Sequence, residues 1–417
     1  MATNIWNPLG IQSTPFFQEA LDISDTGLRP ISLFVGRSGE VDEVLKRIIG
    51  GQSSRIVVAG LPGAGKTTLI QYIKAQLAKQ EFAVSSEHCR VPHQLSATDL
   101  GVELLRSVVR SIRMVLPARR LKKLAGFEEA RSLVEKTQSR VWQANAAVLG
   151  TGVGGGAGQK LHRPIFSPNQ FQDALARLAA GSVAAGIPGI VVHLNSLENL
   201  EQDPSAAATL FRDARDYFLL PGLHVILGAT LDFHGAVISK HAQVRSVFPP
   251  PLRLEALGFP EVRQVLERRY AYLRIEDMEV TRPVTWRLVE EFHRLFRGDL
   301  RGMLSALDET CYRVLGATSV APLDREQVLP VLAGLYRNEF IADLTPTGLG
   351  HLERIASFAG EEFRQADVID RLGVSQPRAS AIFADLERAQ AILHVRTDGP
   401  SRYYALTGRA RIAFGRL

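Results

Sequence analysis

Apolar positions along the chain change their spacing in a regular way. Val41, Val44, Leu45 and Ile48 recur at helical spacing after Ser38, which predicts a helix N-capped by that serine and ended by Gly50-Gly51. The β-branched run Ile56, Val57, Val58 then predicts a short strand. In "RIVVAGLPGAGKTTLIQYIKAQLAK" that strand leads into a glycine-rich turn and an amphipathic helix. Further apolar strands fall at 190–194, 225–227 and 252–254, with helical stretches such as 171–178 between them. Strand alternating with helix predicts a parallel α/β sheet. Past Pro249-Pro250-Pro251 the pattern is mainly helical over 256–340, and a smaller unit follows. The opening segment 1–30, rich in Asn, Pro, Ser and Gly, predicts an irregular lead-in, and no internal repeat is present.

The 417 residues are long enough for two to four domains. Hydrophobic content of 46% and charged content of 22% are ordinary for a soluble globular chain. No apolar run reaches bilayer-spanning length, and MATNIWNPLG lacks the basic-then-apolar pattern of a secretory signal. Cys89 and Cys311 are the only cysteines, which excludes a disulfide framework of several bridges and fits a reducing cytoplasm. The net charge of +6 is unevenly placed: residues 106–140 carry ten Lys/Arg against three Asp/Glu, and 388–417 carry six Arg against Asp398. Such patches admit an acidic partner, or are solvated faces.

Gly60-Leu-Pro-Gly-Ala-Gly-Lys66-Thr67 matches G-x-x-x-x-G-K-[ST], with strand before and helix after. Glycines let backbone N–H groups turn inward around phosphate oxygens, and the helix adds its positive N-terminal end. Gly60, Pro62, Gly63, Ala64, Gly65, Lys66, Thr67 and Thr68 are therefore the candidate phosphate-binding residues. Lys66 would reach the β and γ phosphates of ATP, and the Thr67 hydroxyl would ligate Mg²⁺. A second cluster, "GTGVGGGAG" at 150–158, lacks Lys-Thr and the strand–turn–helix context, and reads as a loop or hairpin.

With these motifs in order, the sequence resembles the AAA+ and STAND P-loop ATPases, nearest the origin-recognition initiators, over roughly residues 31–417. "LFVGRSGEVDEVL" is similar to the box that precedes the P-loop and lies against adenine; Phe34, Val35, Gly36 and Arg37 are the matches. "HVILGAT" resembles the fourth core strand, making Thr230 the γ-phosphate sensor. "AQVRSVFPPPLRLEAL" resembles the segment that bears the arginine finger, with Arg245 in that place. "RGDLRGMLSALDETC" resembles the sensor-2 motif, with Arg301 as the sensor. Arginine suits both roles because its planar fork keeps its charge and matches phosphate. The resemblance implies an α/β P-loop NTPase base with a parallel sheet (31–255), an all-α lid (256–340) and a C-terminal winged helix (341–417), after a lead-in at 1–30.

One departure stands out in "VVHLNSLENL" at 191–200. Asn195 takes the place of the magnesium-coordinating Asp, and Ser196 that of the water-activating Glu. A neutral amide supports a water of the hard cation less tightly than a carboxylate does. Serine cannot orient water as a base would. Glu198 is the nearby acid that either compensates or sits at a helix start for the dipole. His193 alternates with Val192 and Leu194 and reads as a packed or hydrogen-bonded histidine. The expectation is slow hydrolysis, or an ATP-held switch. His88, Cys89 and His93 share a loop but lack a metal site's spacing.

Near the C-terminus, Val368, Ile369 and Leu372 mark a short helix closed by Gly373. Ser375 caps the next, whose buried stripe is Ala379, Ile382, Phe383 and Leu386. Two strands follow near 392–396 and 402–406, turning at Asp398-Gly399. On duplex DNA, Gln376, Arg378, Ser380 and Ala381 would face base edges, with Arg396 and Arg402 meeting phosphates. Asp385 and Glu387 offset Arg378 and Arg388 on the same helix. Self-assembly would place Arg245 in a neighbour's site. The rival expectation is an ATP-regulated interaction module acting on a separate effector protein, its winged helix used for packing.

Overall fold

The structure is a computed structural model. It describes residues 4–24, 27–91, 96–137, 168–195, 197–201, 203–316, 321–398 and 401–415, without the side chains of Arg90, Pro168, Glu198 and Asn199. Ser196, His93, the glycine cluster at 150–158, Gly399 and residues 138–140 of the basic stretch lie outside the described residues. By its internal contacts the chain divides into two units. One holds Ala20–Gly60 and Lys66–Arg253; the other holds Met1–Glu19, Leu61–Gly65 and Leu254–Leu417.

The first unit is a parallel α/β layer structure. Its strands are β1 (Arg55–Gly60), β2 (Ala83–Val84), β3 (Cys89–Arg90), β4 (Ile190–Asn195), β5 (Leu223–Ala229) and β6 (Leu252–Leu254). They lie in the order β2-β4-β5-β1-β6, with β3 paired to β4. The pairs β1–β5, β4–β5, β2–β4 and β3–β4 are parallel. The central strands are buried along nearly their whole length, as parallel strands covered on both faces must be. Helices α1 (Ser38–Ile49), α2 (Lys66–Ala78), α3 (Ala97–Val115), α4 (Pro168–Ala184) and α5 (Pro204–Asp213) cover them. On one face Val57, Val192 and Val225 join a cluster with Leu104 and Val108 of α3 and Leu175 of α4. On the other face Ile70 of α2 approaches Gly228.

Helix α1 departs from expectation at its start. Its N-cap is Arg37, in the left-handed region at φ 61°, and Ser38 is the first helical residue. The other end behaves as read, at Gly50. The register pairs Ala59 with Ala229, so Gly60 and Thr230 leave β1 and β5 side by side.

The second unit is helical, with α6 (Phe259–Tyr272), α7 (Trp286–Phe296), α8 (Leu300–Val314) and α9 (Arg325–Asp343). Leu266, Phe292, Leu307 and Leu332 form its centre. The segment read as an irregular lead-in joins that centre: Trp6, Leu9, Ile11 and Phe16 are all buried in it. Arg269 of α6 holds the segment, donating to the carbonyls of Pro15 (3.0 Å) and Phe17 (2.8 Å) and lying 3.7 Å over the Phe17 ring. Its own burial is heavy enough to pull its pKa down to about 9.

The C-terminal part runs α10 (Pro346–Phe358), β7 (Phe363–Arg364), α11 (Gln365–Leu372), α12 (Gln376–Arg388), β8 (Ile392–Asp398), β9 (Ser401–Leu406) and α13 (Gly408–Phe414). The strands form an antiparallel sheet ordered β7-β9-β8. Gly373 closes α11 in the left-handed conformation, and Ala379, Ile382, Phe383 and Leu386 are the buried stripe of α12. No described helix is long and apolar enough to cross a membrane.

Candidate functional site

The turn between β1 and α2 is built by its glycines. Gly63 and Gly65 sit at φ +77° and +89°, where a side chain is strained. Ala64 N–H closes the turn on the Leu61 carbonyl at 3.2 Å. Lys66 opens α2, and its ammonium donates to the Gly60 carbonyl at 2.9 Å. Thr67 and Thr68 occupy the same first helical turn and are half-buried. The sequence thus places a cation, two hydroxyls and helix N-terminal N–H groups at one strand end, the geometry that binds phosphate.

Ahead of the turn, Val35 is buried and Phe34 stacks on Tyr72 of α2, ring centroids 4.0 Å apart at 15°. Arg37 is tucked in, its side chain 6% exposed and paired with Glu40 at 3.2 Å. The Tyr72 stack could not be read from the sequence, because α1, β1 and the phosphate turn separate the two rings along the chain and aromatic pairing has no short-range signature.

In the helical unit, which includes the turn tip, Asp299 caps α8 by accepting from Gly302 N–H at 2.9 Å. Burial pushes its carboxyl above the ordinary range, while that bond and Arg301 oppose the shift. A Cβ placed on Gly63 would lie 1.9 Å from Asp299 Oδ1 and 3.3 Å from the Arg301 backbone nitrogen. Arg301 is exposed in the first turn of α8 and lines a cavity of about 990 Å³ together with Leu61, Pro62, Gly63 and Arg409.

At the strand ends of the sheet, Asn195 finishes β4 half-buried, with its amide oxygen over Gly228. A Cβ there would lie 3.1 Å from Asn195 Oδ1 and 3.4 Å from His193 Nε2. His193 is packed rather than hydrogen-bonded: neither ring nitrogen has a partner among the described residues. Burial, then Lys74 and His88, hold it well below the usual imidazole range. Thr230 caps the turn after β5, accepting from Phe233 N–H at 3.0 Å, and donates its hydroxyl to Glu201. Glu198 falls in the single turn Leu197–Leu200, and its side chain is outside the described residues.

Two residues that the sequence did not single out complete this region. Lys74 of α2 is fully buried and donates to the Glu87 carbonyl at 3.1 Å, its pKa lowered by burial to about 7. Glu201 is the second. Cys89 is buried, its thiol pushed up to about 12, and no metal-binding cluster occurs among the described residues.

Arg245 is not brought to this chain's own phosphate turn. It is exposed and lines an open cavity of about 510 Å³ with Lys46, Arg47 and Arg55. Arg55 starts β1 and the phosphate turn follows its end, so the length of a six-residue strand, roughly 20 Å, separates them.

On α12, Gln376, Arg378, Ser380 and Ala381 are all exposed. The Ser380 hydroxyl already accepts from Gln365 at 2.7 Å. Arg396 is engaged as well, with Glu362 at 3.0 Å and over the Tyr403 ring at 3.7 Å. Arg402 is exposed on β9.

Residues 33–225 match the family model described as AAA ATPase domain. This part of the chain is an AAA ATPase domain. The Walker-type ATPase PABY2304 of Pyrococcus abyssi has the same fold, with 14% identity, TM-score 0.52, and 96% of this chain and 99% of that chain covered. Two Aeropyrum pernix structures are also similar. The ORC2 protein in its ADPNP–ADP complexes has 16% identity, TM-score 0.49, and 96% and 95% coverage. The ORC1 protein in complex with DNA has 14% identity, TM-score 0.46, and 91% and 92% coverage. No curated protein sequence matches the chain. The AAA+ recognition and the α/β P-loop fold class read from the motifs are therefore correct, and the sheet order of the AAA domain puts β5, with Thr230, directly beside the strand that feeds the phosphate turn.

Proposed function

We propose that the chain is an ATP-binding switch of the initiator type that couples its nucleotide state to duplex DNA and to self-assembly. The observation that carries this reading is the turn itself: two glycines at positive φ and Lys66 at the head of a helix, beside a strand that runs into Thr230. ATP phosphates are held by the backbone of 60–65 and by Lys66, with Val35 and Arg37 on the nucleoside side and Arg301 as the lid sensor. Mg²⁺ fits the donor set only loosely. Thr67 offers a hydroxyl and Asn195 an amide oxygen, both neutral, which suits a cation that keeps most of its waters and leans on the phosphates. The metal would neutralise phosphate charge. Hydrolysis is slow, because Asn195 cannot replace a carboxylate in that task.

DNA contact falls to Gln376, Arg378 and Arg402, with Arg396 held against Glu362 until phosphate competes for it. Ser380 is a weaker reader than its position suggests, its hydroxyl being shared with Gln365. Arg245, away from its own turn, serves the site of a second copy. Titration calorimetry with ATP tests the core of this reading: the parent binds, and Lys66→Ala does not. Equal affinity in the two proteins would end it. Gel shifts with duplex DNA across a salt series test the coupling, because a phosphate-clamping protein loses affinity steeply as salt rises.

A further inference from the structure

Asn195 and Ser196 leave the end of β4 without a carboxylate, yet the structure delivers one from further along the chain. After β4 the turn Leu197–Leu200 packs against β5, and Glu201 emerges from it half-buried. There its carboxylate accepts the hydroxyl hydrogen of Thr230. Thr230 leaves β5 next to Gly60, where the phosphate turn begins, since Ala229 and Ala59 are register partners. Asn195 ends the strand on the other side of β5. The acid therefore stands at the edge of the sheet shared by the phosphate turn, Asn195 and the polar end of β5. A threonine in that place needs no carboxylate to cap its turn, because its oxygen already accepts from Phe233 N–H. The donor side of the hydroxyl is left over for Glu201.

We infer that Glu201, held by Thr230, is the carboxylate that orients and deprotonates the water attacking ATP; the inference rests on the ATP reading of the phosphate turn. In the step, the water oxygen bonds to the γ-phosphorus as the bond from that phosphorus to the β,γ-bridging oxygen breaks. The electron pair of the broken bond stays on ADP. One water proton passes to Glu201 and then to the released phosphate, which regenerates the carboxylate.

Glu201→Gln is the informative variant, because its amide oxygen still accepts from Thr230 while the charge and the basicity are lost. ATP affinity by calorimetry and single-turnover hydrolysis are measured for the parent, Glu201→Gln, Glu201→Asp, Thr230→Val and Lys66→Ala. The expected result is ATP affinity in Glu201→Gln within threefold of the parent and a hydrolysis rate at least thirtyfold lower. Glu201→Asp should recover part of the rate, and Thr230→Val should lower the rate with affinity held. Parent-like hydrolysis by Glu201→Gln overturns the inference, since a purely structural tie survives that change. Lost ATP binding in Glu201→Gln, with Glu201→Asp at the parent rate, also overturns it. A parent that binds ATP yet turns over no faster than Lys66→Ala overturns this inference alone. A parent that fails to bind ATP overturns instead the reading beneath it.

Discussion

The Lys74 ammonium lies 3.1 Å from the Glu87 carbonyl oxygen, wholly inside the protein. Its pKa falls from 10.5 to about 7, because burial outweighs the attraction of the Glu87 carboxylate. Between those two values the unfolded lysine keeps a proton that the folded one has released. Stability therefore rises as pH climbs through the window from about 7 to about 10.5, by at most about 4–5 kcal/mol. Lys74→Met should flatten that rise. Denaturant titrations at pH 7 and pH 9.5 on both proteins measure the difference in slope.

Gly63→Ala should abolish ATP binding. Its left-handed φ of +77° costs a β-carbon about 1–2 kcal/mol, and the new methyl meets the Asp299 carboxylate. Gly39→Ala, with nothing within 4 Å of its added carbon, is the control and should bind as the parent does. Calorimetry with ATP separates the two.

Arg269→Ala should lower stability by about 2–4 kcal/mol, since it removes two charge-assisted bonds to the 15–17 backbone and leaves those carbonyls unpaired. Limited proteolysis should then cut within the segment 4–19 before any other site. Unchanged melting and an unchanged cleavage pattern would show that the apolar side chains hold the segment unaided.

Arg402→Ala should weaken duplex DNA binding about equally for all sequences and reduce the salt slope by about one. Arg378→Ala should cost about 1–3 kcal/mol on a preferred site and little elsewhere. Glu362→Gln should tighten binding by releasing Arg396. Anisotropy titrations at several salt concentrations read all three.

The phosphate turn was legible because its chemistry is local: positive φ demands glycine, and the lysine must follow at a fixed offset. The α12 stripe was legible for a similar reason, Ala379, Ile382, Phe383 and Leu386 repeating at the helical period. The segment at 4–19 is irregular, as its composition predicts, but its burial was not legible: Trp6, Leu9, Ile11 and Phe16 follow no period, and the helices that bury them come only after the whole sheet. Lys74 escaped notice because a lysine on a helix normally marks a wet face, while α2 is covered around most of its circumference. The Thr230–Glu201 bond spans 29 residues, and only the strand order brings its ends together. The Ser380 bond to Gln365 was hidden likewise, since it joins two helices across a turn.

Trp6 and Phe16 leave the ribosome long before Leu266, Phe292 and Leu307, the side chains that enclose them. For most of synthesis this greasy strip has no home, and it must stay uncommitted while the whole intervening sheet is made. The helical unit is thus a late closure that reaches back for a segment made before the sheet. A fragment starting at Leu254 would fold with an apolar trench where that strip belongs, and would stick to whatever could fill it.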